Sequence, residues 1–174
     1  MINDILLRDI TSDDIELEEK YHQEYLKCKE QGNCPTCANF KTNNIFIEDD
    51  ELTLYEDNLF RVFLERNARK SGHVIIIVKD HYEDISEMPI SLAEPFHRIT
   101  NITISALKEV LGALKVYLVT MCDGGPNHLH FQLIPRYEGE PHGSKVFVTP
   151  RRRIKKDMEV ISSLKEYIRK ATSN

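Results

Sequence analysis

Three polar side chains alternate with apolar ones in the segment "NHLHFQLIPR" at 127–136, namely His128, His130 and Gln132. Alternate side chains of a β-strand lie on one face, so these three would share a face while Leu129 and Phe131 point into a core. An imidazole can ligate a metal, transfer a proton or attack an electrophile, and a glutamine amide can donate to a phosphate oxygen. The row therefore indicates a functional strand. The alternative is a pair of surface histidines on an edge strand.

A glycine turn precedes this strand. The residues "DGG" at 123–125 include Gly124 and Gly125. Because glycine has no side chain, its backbone amide can approach a ligand closely. We therefore expect this turn to border the site.

A C-x-x-C pair, "CPTC", places Cys34 and Cys37 three residues apart in a segment that we expect to be a loop. In a cytosolic protein this spacing indicates metal or redox chemistry. A structural zinc site needs four ligands, so the pair alone is a weak signal. No thioredoxin-like strand and helix surround it, which disfavours the redox interpretation. Two free cysteines in a flexible loop remain the simple alternative.

Composition limits the class of protein. The 174 residues suit one domain over 1–174, and a net charge of −5 makes general nucleic-acid binding unlikely as a function. The longest apolar runs, such as "VIIIV" at 74–78, are far shorter than the roughly 20 residues of a membrane span. The N-terminus lacks the pattern of a secretory signal, so we expect a cytoplasmic protein without membrane association and without disulfides.

Hydrophobic periodicity predicts an α+β fold, an antiparallel sheet flanked by helices. The predicted helices are 12–31, which opens on a Ser or Asp cap, then 91–113 and 156–171. The predicted strands are 44–48, 52–55, 59–64, 73–79, 115–122 and 128–134. Short turns between consecutive strands favour antiparallel pairing.

The strand "NHLHFQLIPR", the upstream segment "SGHVIIIVKDHYEDISEM" at 71–88 and the "CPTC" pair together resemble the histidine-triad (HIT) superfamily. Gln132 stands where most members carry a third histidine. This H-x-H-x-Q form is similar to the branch of galactose-1-phosphate uridylyltransferase and the diadenosine tetraphosphate phosphorylases. The resemblance implies a HIT-like core over about 34–136, an N-terminal helix over about 12–31, a C-terminal extension over about 137–174, and a homodimer.

The resemblance also implies a reaction. The middle member, His130, would attack the α-phosphorus of a nucleoside phosphate ester, anhydride or phosphoramidate and form a covalent nucleotidyl-histidine. His128 and Gln132 would assist the geometry of the phosphate. A neutral imidazole is a good nucleophile near neutral pH, which fits this role. Dinucleoside polyphosphates are the favoured substrates, with phosphoramidates and sugar nucleotides as further candidates.

Two other functions stay open. The protein could be a zinc-stabilised nucleotide-binding or interaction module with little catalysis. It could also be a zinc hydrolase in which the metal keeps an open position for water.

A metal set follows from the same resemblance. Some members and the uridylyltransferases bind a metal through a C-x-x-C pair, a histidine after the "VK" strand and the first histidine of the triad. In this sequence those positions are Cys34, Cys37, His81 and His128. Two thiolates and two imidazoles suit tetrahedral zinc in a structural role.

Substrate contacts are the least specific part of the resemblance. Glu65 stands where the family has a carboxylate for the ribose hydroxyls, and Asn67 could share that role; a solvent-facing glutamate is the alternative. The residues "GPN" replace the polar pair that usually precedes the first histidine, so Asn127 or the amides of Gly124 and Gly125 would contact the leaving group.

Two further features carry simpler expectations. His73, at the head of a buried strand, is expected to be a packed structural residue and not a ligand. The basic cluster "PRRRIKK" at 150–156 could reach a polyphosphate tail, although a charged run is usually solvated.

Overall fold

A five-stranded antiparallel sheet forms the centre of the protein. The computed structural model describes residues 4–42, 50–122 and 127–173. The strands of this sheet are β2 (Thr53–Glu56), β3 (Phe60–Leu64), β5 (Val74–Val78), β6 (Lys115–Val119) and β7 (His130–Arg136). Their order in the sheet is β2-β3-β5-β7-β6. The predicted strand at 44–48 and the glycine turn at 123–125 lie outside the described residues. The predicted α+β architecture is confirmed.

Four described helices accompany the sheet: α1 (Ser12–Glu30), α2 (Pro35–Thr42), α3 (Ala93–Leu111) and α4 (Met158–Thr172). The first helix begins at Ser12, and its capping residue is Thr11, one residue before the predicted cap: the Thr11 side chain accepts from the Asp14 amide, while the Asp14 carboxylate accepts from the Thr11 amide. Pro95 lies in the first turn of α3, where its missing N–H breaks no helical hydrogen bond. No described helix combines the length and the apolar character that crossing a bilayer requires.

One face of the large sheet packs against α3 and α4. Every second side chain from Leu129 into β7 faces the core: Leu129, Phe131 and Leu133 are all buried there. Leu107 of α3 and Leu164 of α4 are fully buried in the same cluster. The opposite face therefore carries His128, His130 and Gln132, as the alternation predicted.

A second, three-stranded sheet was not predicted. It has the order β1-β8-β4, with β1 (Leu7–Arg8), β4 (Asn67–Ala68) and β8 (Arg152–Ile154). The strands are only two or three residues long, and their charged residues hide the periodicity on which the prediction relied. The predicted last helix starts at Met158 instead of 156, because the Asp157 side chain caps it by accepting from the Val160 amide; the three residues of β8 belong to the basic cluster.

Ion pairs with the N-terminal segment hold two arginines of this basic cluster. Arg153 is buried, and its guanidinium contacts Asp14 at 3.1 Å and Glu18 at 2.7 Å. Arg152 contacts Asp4 at 2.9 Å. These two arginines therefore attach the N-terminal segment to β8, which the expectation of a solvated charge run did not include.

Candidate functional site

His128 lies two residues before the start of β7 and is buried. Its Nε2 lies 2.6 Å from the carbonyl oxygen of Val78, the last residue of β5. Since a carbonyl can only accept, Nε2 carries the proton and Nδ1 is left with a free lone pair. A hydrogen bond from one ring nitrogen to a backbone carbonyl is the usual arrangement for a metal-ligating histidine.

The free Nδ1 of His128 faces two cysteines. Its distances to the sulfur atoms of Cys34 and Cys37 are 3.4 and 3.5 Å, and Cys37 lies 3.4 Å from Nδ1 of His81. The ligating atoms of all four residues lie within 4.8 Å of one another. The structure thus brings together the four side chains that the sequence resemblance grouped.

These distances fit a tetrahedral metal. A tetrahedral ion with bonds of ~2.3 Å to sulfur and ~2.0 Å to nitrogen separates its ligand atoms by about 3.3–3.8 Å, with sulfur and nitrogen about 3.5 Å apart. The three measured contacts among Cys34, Cys37, His81 and His128 are within or close to that range. Two sulfur and two nitrogen donors with a backbone-anchored imidazole match the preference of zinc over magnesium or calcium.

The two thiols differ in acidity. Burial opposes ionisation of Cys34, but the His128 ring and the Cys37 amide stabilise its thiolate, and its pKa is lowered to about 6. Burial and the neighbouring Cys34 sulfur raise the pKa of Cys37 to about 11. A divalent cation between them would favour both thiolates.

Cys37 does not lie in a loop, which corrects the sequence prediction for "CPTC". Pro35 begins α2, so Cys37 lies in its first turn and Cys34 immediately precedes the helix. A proline is well suited to this first helical position. The carbonyl of Cys34 accepts from the Ala38 amide, so the start of the helix fixes the spacing of the two sulfurs.

His130 is half-buried at the start of β7, and its orientation is set by the backbone. Its Nδ1 lies 2.9 Å from the carbonyl oxygen of His128. Nδ1 must therefore be the donor, which leaves the lone pair on Nε2. A neutral imidazole with Nδ1 protonated and Nε2 free is the form that attacks an electrophile. The sulfur of Cys122 also lies 3.9 Å from Nδ1.

Gln132 is buried and is oriented by His73. The Nδ1 of His73 accepts from the amide of Arg69 at 3.2 Å, and its Nε2 lies 3.1 Å from Oε1 of Gln132. A neutral ring that accepts at Nδ1 must carry its proton on Nε2, so His73 donates to the carbonyl end of the glutamine. The amide NH₂ group of Gln132 is then directed away from His73 and stays available as a donor.

Burial, and then the positive charge of Arg151, lower the pKa of His73 to about 3, so its ring is neutral across the physiological range. The preceding glycine makes this placement possible. Gly72 has φ +73°, and a Cβ there would lie 2.4 Å from Cδ1 of Leu111. The expectation that His73 is packed is confirmed. Its hydrogen bond to Gln132 was missed, although the "GH" before a buried strand was the available signal.

Glu65 and Asn67 lie at one side of this row, after β3. Oε1 of Glu65 accepts from the Asn67 amide at 2.9 Å, and the Glu65 amide donates to the His73 carbonyl. The side chain of Asn67 accepts from Arg153 at 3.1 Å. Glu65 is partly exposed and adjoins His73, which contacts Gln132. The arrangement leaves Glu65 accessible and directs the Asn67 oxygen into the ion-pair network.

Asn127 donates from its side chain to the carbonyl of Cys122 at 2.8 Å. Gly124 and Gly125 lie outside the described residues. Among the predicted contacts for a leaving group, Asn127 is therefore the one whose position the structure gives.

The sequence matches the HIT domain family over residues 47–139. The chain belongs to this family. It is 35% identical over 92 residues to an uncharacterised HIT-like protein of Methanocaldococcus jannaschii, a match that covers 50% of this chain and 70% of the relative. The superfamily that the triad segment predicted is thus confirmed.

Solved HIT structures share the fold. A Zn-bound histidine triad family protein from Mycobacterium smegmatis has a TM-score of 0.62 at 20% identity, over 80% of this chain and 96% of that one. A uridylyltransferase has a TM-score of 0.61 at 17% identity, over 89% of this chain and 51% of that one. Assignment to the uridylyltransferase and phosphorylase branch of the HIT superfamily stays a prediction.

Proposed function

We propose that this HIT protein binds a nucleotide and transfers or hydrolyses its nucleotidyl group through a covalent intermediate on His130. The observation that carries the proposal is the hydrogen bond from Nδ1 of His130 to the His128 carbonyl. It leaves a free lone pair on Nε2 of a half-buried ring. It also places a backbone dipole where positive charge develops on the imidazole during attack.

In the first half-reaction, Nε2 of His130 attacks the α-phosphorus. The N–P bond forms as the bond from phosphorus to the leaving-group oxygen breaks, and the leaving group takes the electron pair of that bond. The imidazole ring gains a positive charge, which the carbonyl oxygen of His128 stabilises through Nδ1–H. Asn127, whose side chain donates to the Cys122 carbonyl, is the described residue that we expect to contact the leaving group.

Gln132 would donate from its NH₂ group to a non-bridging oxygen of the phosphate. Because His73 holds the opposite end of the amide, the donor is oriented before the substrate arrives, and little reorganisation accompanies the reaction. The amide NH₂ group of Gln132 neither gains nor loses a proton near neutral pH. Gln132 is thus suited to positioning the phosphate and not to acid–base catalysis.

In the second half-reaction, an acceptor oxygen attacks phosphorus, the N–P bond breaks and His130 recovers its lone pair. The acceptor would be water in a hydrolase, or phosphate or another nucleophile in a transferase. Glutamine at the third position and the likeness to a uridylyltransferase favour the transferase branch. We favour dinucleoside polyphosphates as substrates, with Glu65 accepting from the ribose hydroxyls.

A structural zinc ion would be held by Cys34, Cys37, His81 and His128. When bound, it would supply a tetrahedral crosslink between the α2 segment and the sheet. His128 would then be fixed by the ion at Nδ1 and by Val78 at Nε2, and its carbonyl is the group that orients His130. With all four positions taken by protein ligands, the ion would keep no open position for a substrate, which disfavours the zinc hydrolase.

A substrate panel tests the proposal. Dinucleoside polyphosphates, nucleoside phosphoramidates and sugar nucleotides are incubated with the protein, with and without phosphate, and products are separated by mass. We expect turnover of at least one class and a loss of about a thousandfold in His130→Ala. His97→Ala, a change at an exposed histidine of α3, is the matched control and retains activity. Full activity of His130→Ala contradicts the mechanism, and nucleotide binding without turnover of any substrate favours the binding-module alternative.

A further inference from the structure

Arg151 reaches the side of the candidate site from a segment outside the matched HIT domain, which ends at residue 139. Its Nη1 lies 3.8 Å from Oε1 of Glu65 and donates to the Asn67 carbonyl at 2.7 Å. The side chain of Arg151 is 42% exposed. A guanidinium has five N–H donors, so the contact with Asn67 leaves others for a ligand.

A second arginine borders the same place. The amide of Arg69 donates to His73, and its Nη1 donates to the Thr149 carbonyl at 3.1 Å, two residues before Arg151. The C-terminal extension thus binds the Arg69 side chain through the Thr149 carbonyl, and it also supplies Arg151. Nε of Arg69 is buried and has no hydrogen-bond partner among the residues that the structure describes.

The cluster carries excess positive charge. Burial, followed by repulsion from Arg151, lowers the pKa of Arg69, and the negative charge of Glu65 offsets these effects only in part. His73 is neutral, so two cations face one carboxylate. The neighbouring Lys70 does not add to this excess, because it pairs with Glu140 at 2.7 Å. An anion next to Glu65 would therefore be stabilised.

The position of Arg69 and Arg151 relative to His130 indicates which anion would bind to them. Along β7, His130 and Gln132 are separated by roughly 7 Å, the repeat of alternate residues in a strand. His73 contacts Gln132, and Glu65 and Arg69 adjoin His73. If the α-phosphate lies at His130 and Gln132 and the ribose at Glu65, a substituent on the ribose lies at the two arginines.

We propose that Arg69 and Arg151 form a subsite for a phosphate on the 2′ or 3′ position of the substrate ribose. Glu65 accepts from the remaining hydroxyl, while the guanidinium groups bind the phosphate dianion. The preferred substrate class is then a nucleotide that carries a ribose phosphate in addition to its 5′-phosphate chain. This inference rests on the proposed function, since it takes the nucleotide orientation from it.

The test compares binding of adenosine and uridine 5′-monophosphates with that of the corresponding 2′,5′- and 3′,5′-bisphosphates by titration calorimetry. We expect the intact protein to bind one bisphosphate isomer at least about tenfold more tightly than the monophosphate, because two charge-assisted contacts are added. Arg151→Gln removes most of that preference and keeps monophosphate affinity. Arg152→Gln, the same change one residue along the chain where the side chain pairs with Asp4, retains the preference.

Equal affinities for monophosphate and bisphosphates in the intact protein overturn the inference, and so does a preference that survives in Arg151→Gln. If the monophosphate binds and His130 forms a nucleotidyl adduct from a dinucleoside polyphosphate while no preference for a bisphosphate is seen, the inference alone fails. If neither class of nucleotide binds, the proposed function fails with it. Glu65→Gln provides a second variant, which we expect to weaken binding of monophosphate and bisphosphate alike.

Discussion

Protonation of His73 is expected to destabilise the fold in mild acid. The ring is fully buried, its Nδ1 accepts from the Arg69 amide, and its Nε2 donates to Gln132. A second proton would have to be placed on Nδ1, directly against the N–H of Arg69, and the positive charge of Arg151 opposes it as well. For these reasons the folded protein lowers the pKa of His73 from 6.5 to about 3.

The direction of the pH effect follows from proton counting. Between about pH 6.5 and pH 3 the unfolded chain binds a proton at His73 that the folded protein does not, so stability falls as the pH falls through this window. At pH 5 the unfolded form is stabilised by about 2 kcal/mol relative to pH 7.5. The effect is fully absent above the unfolded pKa.

Urea denaturation at pH 7.5 and pH 5 measures this contribution. His73→Gln keeps an amide donor near Gln132 but does not titrate. We expect the stability advantage of the intact protein over His73→Gln to shrink by about 2 kcal/mol between the two pH values. For His97→Gln, at an exposed histidine, we expect the free energy of unfolding to change with pH as it does in the intact protein. Parallel pH dependence of the intact protein and His73→Gln would refute the assignment of a neutral, buried His73.

Two other substitutions test the zinc ligands and the ion pairs of the second sheet. Cys34→Ser is expected to reduce bound zinc from about one ion per chain to none by elemental analysis, while Cys28→Ser retains it; unchanged zinc in Cys34→Ser contradicts the ligand assignment. Arg153→Gln leaves the buried Asp14 without one of its cationic partners and is expected to cost about 3 kcal/mol in the free energy of unfolding. Lys170→Gln, which removes an exposed pair, should cost less than about 1 kcal/mol in the same assay.

The alternation in "HLHFQLI" at 128–134 could be predicted because it is a local property, although β7 itself runs from His130 to Arg136. Leu129 and Phe131 are in the core, and the two histidines and the glutamine share the other face. The partners of these residues come from distant parts of the chain and required the fold. Val78 lies 50 residues before His128, and no local pattern shows that its carbonyl faces that ring.

Short elements with charged residues or a weak apolar pattern could not be predicted from the sequence. The three strands of the second sheet are too short for periodicity to appear, and Arg153 is buried only because Asp14 and Glu18 of α1 neutralise it. The helix at "CPTC" was missed because its apolar pattern is weak, although Pro35 is a favourable first residue. The homodimer, the single domain over 1–174 and the cytoplasmic location stay predictions.

Intact-protein mass spectrometry shows whether His130 forms a covalent bond to phosphorus. The protein is mixed with a dinucleoside polyphosphate that it turns over in the substrate panel. The reaction is quenched in alkali at short times, and the protein is digested to locate the added mass. We predict one nucleotidyl group per chain on the peptide that contains His130, and none in His130→Ala. Turnover with no adduct at any time, or an adduct that persists in His130→Ala, would contradict the account.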